Sequence, residues 1–120
     1  MQESGGNVRV RSTASWQGIV NTGIMQAHNG VTFDPDNPEG SIWQMINDGT
    51  MGTTSGDGMK QCLDHRGGNY YLAFREYNSG ASGVNLQHLG DGMGATGPYV
   101  EKIVNRLQVT GQEMFVLRVE

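Results

Sequence analysis

A chain of 120 residues with 36% apolar residues and 19 glycines is one domain's worth of sequence, able to bury a core without cross-links and rich in loops. A formal net charge of −4, with no basic stripe, argues against nucleic acid and against electrostatic attraction to anionic surfaces. No stretch approaches the roughly 20 apolar residues of a membrane span, no signal peptide is visible, and the single cysteine, Cys62, can make no internal disulfide and reads as a small core thiol.

Along the chain, Gly5-Gly6-Asn7 is a helix-stop sequence. The helix it implies lies upstream of Met1, with only its last turn in residues 1–7. Residues 8–22 read as a polar loop with one large apolar residue, Trp16. Gly23 to Gln26 opens a short buried segment. Residues 31–38 hold Pro35 and Pro38 and read as loop, with Asp34 and Asp36 bonding their own backbone. Ser41 is a plausible N-cap for a helix carrying Ile42, Met45 and Ile46 up to Gly49. Residues 49–58 read as a glycine-rich surface loop. Asp57 can cap a second helix with Met59, Cys62 and Leu63 on one stripe, ended by Gly67-Gly68. Asn69 caps a third, with Tyr70, Ala73, Phe74 and Tyr77 on one face. Residues 78–96 are loop. Thr96 caps a fourth helix, with Pro98 in its first turn and Tyr99, Val100, Ile103, Val104 and Leu107 buried. The run Met114 to Val119 is β-prone, and no earlier segment reads as its partner strand. The expectation is an all-α fold of short helices with long loops over residues 1–108, N-terminally incomplete, followed by a C-terminal tail over residues 109–120.

Several short motifs occur in order. Glu3-Ser4 is followed nine positions on by Ser12. Gly23-Ile24-Met25-Gln26 comes next, then Tyr77-Asn78-Ser79-Gly80 and Tyr99 at the start of the last helix. In this order they resemble the signature of the soluble lytic transglycosylase and goose-type lysozyme superfamily: Glu-Ser, Gly-Leu-Met-Gln, Ala-Tyr-Asn-x-Gly and a late tyrosine. Glu76 stands where that family has alanine. The resemblance covers about residues 2–108 and is nearest to secreted fungal or bacterial members.

The resemblance implies a lysozyme-like fold and an enzyme that cleaves the β-1,4 bond between N-acetylmuramic acid and N-acetylglucosamine in peptidoglycan. Glu3 would be the catalytic acid. Ser12, Met25, Gln26, Tyr77, Asn78 and Tyr99 would contact the glycan. A free glutamate, with a pKa near ~4.3, is mostly ionised at neutral pH. An apolar wall from Ile24 and Met25 would help it keep its proton. Residues 8–22 contain no Asp or Glu, and His28 follows the second motif where goose-type lysozymes often carry an aspartate. That favours a single-acid lytic transglycosylase giving a 1,6-anhydro product over a two-carboxylate hydrolase. Goose-type hydrolysis and an inactive glycan-binding relic remain the alternatives. The expected partner is peptidoglycan or a chitooligosaccharide, with no cofactor and no metal, since His28, His65 and His88 lack ligand spacing. The protein is expected to act as a secreted or extracytoplasmic monomer.

Overall fold

The computed structural model describes residues 2–88, 95 and 97–105, and of Trp16 only the backbone. The chain divides into two compact units, residues 1–68 and 69–120. The expected tail at 109–120 and the expected cap Thr96 lie outside the described residues.

The first unit corrects the all-α expectation. Three short strands form an antiparallel sheet in the order β1-β2-β3: β1 Thr13–Ala14, β2 Val20–Thr22 and β3 Ala27–His28. With the helices below, the fold is mixed α and β. The sheet lies inside the region that reads as polar loop and buried segment. Its strands are two or three residues long, too short to show the alternation that marks a strand in sequence. Residues Thr13, Asn21 and His28 stand opposite one another across the sheet. They define one face, whereas Thr22 and Ala27, paired on the other, are buried.

The first helix, α1, runs Pro38–Met51. Its N-cap is Asn37, four residues before the Ser41 cap expected from sequence, because Pro38 is tolerated at the first helical position, where the missing N–H has no partner to lose. Ser41 is instead buried inside the first turns. Its hydroxyl accepts a hydrogen bond from the Asp34 N–H at 3.0 Å. Asp34 Oδ1 in turn accepts from the Asp36 N–H at 2.9 Å. The helix also continues two residues past Gly49. At its far end Gly52 donates back to the Asp48 carbonyl at 3.0 Å with φ of 84°.

The second helix, α2, covers Met59–His65 and starts at Gly58 rather than at Asp57. The Gln61 side chain closes this start: Oε1 accepts from the Gly58 N–H at 2.9 Å, while Nε2 donates to the Met51 carbonyl at 2.7 Å. One amide thus ties the start of α2 to the end of α1. Met45 of α1, Cys62 of α2, Ile24 and Ala27 form the buried apolar core of this unit.

The second unit holds α3, Tyr70–Ser79, and a fourth helix through residues 99–105. Asn69 caps α3 as its sequence implies, its Oδ1 accepting from the Leu72 N–H at 3.2 Å. Ala73, Arg75 and Glu76 are buried on α3, and Tyr99 and Val100 on the fourth helix. No helix among the described residues is long and apolar enough to cross a membrane.

Candidate functional site

The residues singled out from sequence fall into both units. Glu3, Ser12, Met25 and Gln26 belong to the first; Tyr77, Asn78 and Tyr99 belong to the second.

Glu3 lies in a run of turns over residues 2–6, half-buried, and not on a helix. Gly5 and Gly6 both have positive φ, and Ser4 accepts from Asn7 N at 3.2 Å through its carbonyl and from Gly6 N at 3.1 Å through its hydroxyl. The segment is anchored further on, where the Arg9 guanidinium sits over the Phe33 ring at 4.6 Å, a contact of the cation–π type.

The second motif is the loop of the β2–β3 hairpin. Gly23 opens it with φ of 73° and Gln26 closes it with φ of 52°, the Gln26 N–H bonding the Gly23 carbonyl at 3.0 Å. Left-handed backbone costs a residue with a side chain about 1 kcal/mol, so Gln26 needs compensation. Its own side chain supplies it: Nε2 donates to the Gly23 carbonyl at 3.0 Å and approaches the Arg11 carbonyl at 3.4 Å, and Oε1 accepts from the Thr13 hydroxyl at 2.9 Å. These contacts bracket Ser12, which is exposed between Arg11 and Thr13. Ser12 and Gln26, 14 positions apart in sequence, are therefore neighbours.

Ile24 of the same loop is buried, and Met25 is half-buried against α1. Met25 packs on Gly49, where an added methyl would come within 2.5 Å of Sδ and closer still to Cβ. The Thr50 hydroxyl lies 3.9 Å from the same sulfur. Gly23 is also confined, though less tightly, since a methyl there would meet Met45 at 2.9 Å. Behind the loop, the buried Asp48 carboxylate accepts from Val31 N at 2.9 Å and Gln44 Nε2 at 2.7 Å. It joins α1 to the chain leaving β3.

In the second unit, Tyr77 and Asn78 are half-buried near the end of α3. Tyr99 is only 3% exposed. A residue not singled out from sequence brings Asn78 and Tyr99 together. Arg75 is fully buried, at 0% exposure. Its Nη2 donates to Asn78 Oδ1, its Nη1 donates to the Gly97 carbonyl at 2.9 Å, and its guanidinium lies 5.9 Å from the Tyr99 ring centre. The sequence carried one signal for it: Arg75 and Asn78 are three apart on a helix and so share a face. Thr13 was likewise unmarked, because its partner Gln26 is remote in sequence.

Comparison of the chain with protein-family models, with curated proteins and with solved structures finds no match.

Proposed function

We propose that this protein is a peptidoglycan lytic transglycosylase acting with Glu3 as its one catalytic carboxyl group. The observation that carries the reading is that the two central motifs, far apart in sequence, each form a locally fixed element with polar groups at its surface. Gly23–Gln26 is a hairpin loop held by its own glutamine, with Ser12 exposed beside it. Tyr77-Asn78 is a helix end held by a buried arginine. Binding groups need such fixed carriers to recognise a ligand without a large ordering cost.

In this reading Glu3 gives its proton to the glycosidic oxygen as the C1–O bond of the muramic residue breaks. The carbonyl oxygen of the neighbouring acetamido group supports C1 as the bond leaves. The C6 hydroxyl of the same sugar then bonds to C1, and its proton returns to Glu3. The product is a 1,6-anhydro sugar, no water is consumed, and the acid is regenerated. The glycan-contacting role falls to Ser12 and Met25 in the first unit, where Gln26 acts by holding the loop. In the second unit it falls to Tyr77 and Asn78, where Tyr99 supports Arg75.

The test is mass spectrometry of cell walls digested with the whole chain. The expected products are muropeptides one water lighter than reducing-end species, lost in Glu3→Gln, whose amide cannot donate the proton. Reducing-end products alone would replace this reading with lysozyme-type hydrolysis.

A second reading is favoured by one observation. Glu3 sits among turns rather than on a helix, and a catalytic acid needs a rigid support. A glycan-binding domain without cleavage activity would bind chitooligosaccharides equally well in the wild type and in Glu3→Gln, and would release no product.

A further inference from the structure

The β2–β3 hairpin, which carries Gly23–Gln26, is closed at its base by Asn29. The Asn29 N–H donates to the Val20 carbonyl at 2.7 Å. A regular antiparallel ladder returns a second bond, from the Val20 N–H to the main-chain carbonyl opposite. Here the backbone of Asn29 is left-handed, with φ of 51°, and the Val20 N–H donates instead to the side-chain oxygen, Asn29 Oδ1, at 2.8 Å. The other end of the same amide, Nδ2, donates to the Ser55 hydroxyl at 2.9 Å, in the turn bridged between Thr53 and Gly56. Both ends of the side chain are thus held by groups 9 and 26 positions away in sequence. Asparagine is among the few residues with a side chain that enter left-handed backbone readily. The residue after it has to be glycine, because a methyl on Gly30 would lie 2.8 Å from Asp48 Oδ2 and 3.1 Å from Thr22 Oγ1. The fold therefore favours an Asn-Gly pair at this point, and it leaves Asn29 exposed.

Asn-Gly is a chemically fragile pair, since glycine sets no Cβ in the way of its own nitrogen. The Gly30 nitrogen, giving its proton to a solvent base, bonds to Asn29 Cγ. The Cγ–Nδ2 bond breaks and ammonia leaves, which closes a five-membered succinimide. Water then opens the ring at either carbonyl. One product is aspartate; the other is isoaspartate, with the main chain rerouted through Cγ. Ring closure needs the amide to swing onto its own main chain into an attack geometry, and the bonds to Val20 and Ser55 hold it elsewhere. We propose that Asn29 is a site of spontaneous succinimide formation that these two hydrogen bonds keep closed, and that its conversion to isoaspartate unfastens the base of the hairpin. Aspartate is tolerated there: one oxygen still accepts from the Val20 N–H, and the other accepts from the Ser55 hydroxyl, which can donate as well as accept. Isoaspartate lengthens the main chain by one methylene and leaves its carboxylate directly on Cα, so the oxygen that met Val20 is displaced. The modification needs no ligand and is independent of the glycan reading.

The experiment ages the full chain at mildly alkaline pH, both folded and in concentrated guanidinium chloride. Peptide mapping with mass spectrometry follows the conversion of Asn29, and chromatography separates aspartate from isoaspartate. The unfolded chain should convert at least about tenfold faster than the folded wild type, since reaction in the folded protein passes through a locally open state. Folded Ser55→Ala should convert about two- to tenfold faster than wild type, the range expected when one hydrogen bond is lost from the closed state. Ser55→Thr keeps the hydroxyl and should convert at the wild-type rate. Asn29→Asp should melt near the wild type, whereas the isoaspartate form purified from aged protein should melt lower. Equal conversion in folded and unfolded protein, or none in either, would overturn the assignment of the site. A wild-type rate in Ser55→Ala would show that the hydroxyl restrains nothing, as would Ser55→Thr converting as fast as Ser55→Ala, and either would overturn the clamp. An isoaspartate form that melts with the wild type would overturn its effect on the hairpin base.

Discussion

Gln26 shows how one side chain can support an unfavourable backbone. Its φ of 52° is a conformation glycine adopts without penalty, yet glutamine occupies it because its amide closes the loop on Gly23 and Thr13. Two substitutions separate these effects. Gln26→Ala keeps the strain and loses the hydrogen bonds, and should destabilise the protein by about 1–3 kcal/mol. Gln26→Gly loses the same bonds but relieves the strain, and should be the milder change by about 1 kcal/mol. Chemical denaturation of both variants checks the order, and equal destabilisation would show that the left-handed backbone carries no cost here. Asp48 stabilises in a different way, by satisfying donors rather than offsetting strain. It is buried, and removal by Asp48→Ala strands the Val31 N–H and the Gln44 amide. A loss of about 1–3 kcal/mol is expected in the same measurement.

Between elements, the decisive contact in the first unit is that of the hairpin loop with α1. Glycine in the middle of a helix normally weakens it by about 1 kcal/mol relative to alanine. Gly49 reverses that expectation because Met25 lies directly against its Cα. Gly49→Ala should therefore lower stability by about 1–2 kcal/mol net, the overpacking outweighing the gain in helix propensity. The double variant Gly49→Ala with Met25→Ala should recover part of the loss, and thermal melts of the pair would reveal the coupling. Strict additivity would mean that the two residues do not touch in solution. In the second unit, Asn69→Ala removes the cap of α3 and should cost about 1 kcal/mol. It should also weaken glycan binding, since the same helix carries Asn78.

For the whole molecule, the formal charge of −4 bears on how a ligand is recognised. The proposed contacts are neutral amides, hydroxyls and a thioether, so binding of an N-acetylglucosamine tetramer should change less than twofold between about 50 and 300 mM salt, a range over which exposed charge–charge attraction is strongly screened. A steep loss of affinity with salt would point to an ionic partner and away from a neutral glycan.

Much of the helical plan was readable from the chain. Asn69 announces α3, the Met59, Cys62 and Leu63 stripe announces α2, and Gly67-Gly68 closes it, because caps and apolar spacing act within a few residues. The sheet was not readable. Its strands, Thr13–Ala14, Val20–Thr22 and Ala27–His28, exist because they pair with one another and bury Thr22 and Ala27, and no single strand is long enough to declare itself. The candidate site divides along the same line. The motif residues Glu3, Ser12, Gly23 to Gln26, Tyr77, Asn78 and Tyr99 stand out by type and order alone. The tertiary structure decided that Gln26 spends its amide on its own loop beside Ser12, that Met25 rests on Gly49, and that Arg75, bonded to Asn78, lies over the ring of a buried Tyr99. Sequence specifies which groups can donate, accept or be buried, whereas only folding brings together groups tens of residues apart and thereby selects which of those options each group takes.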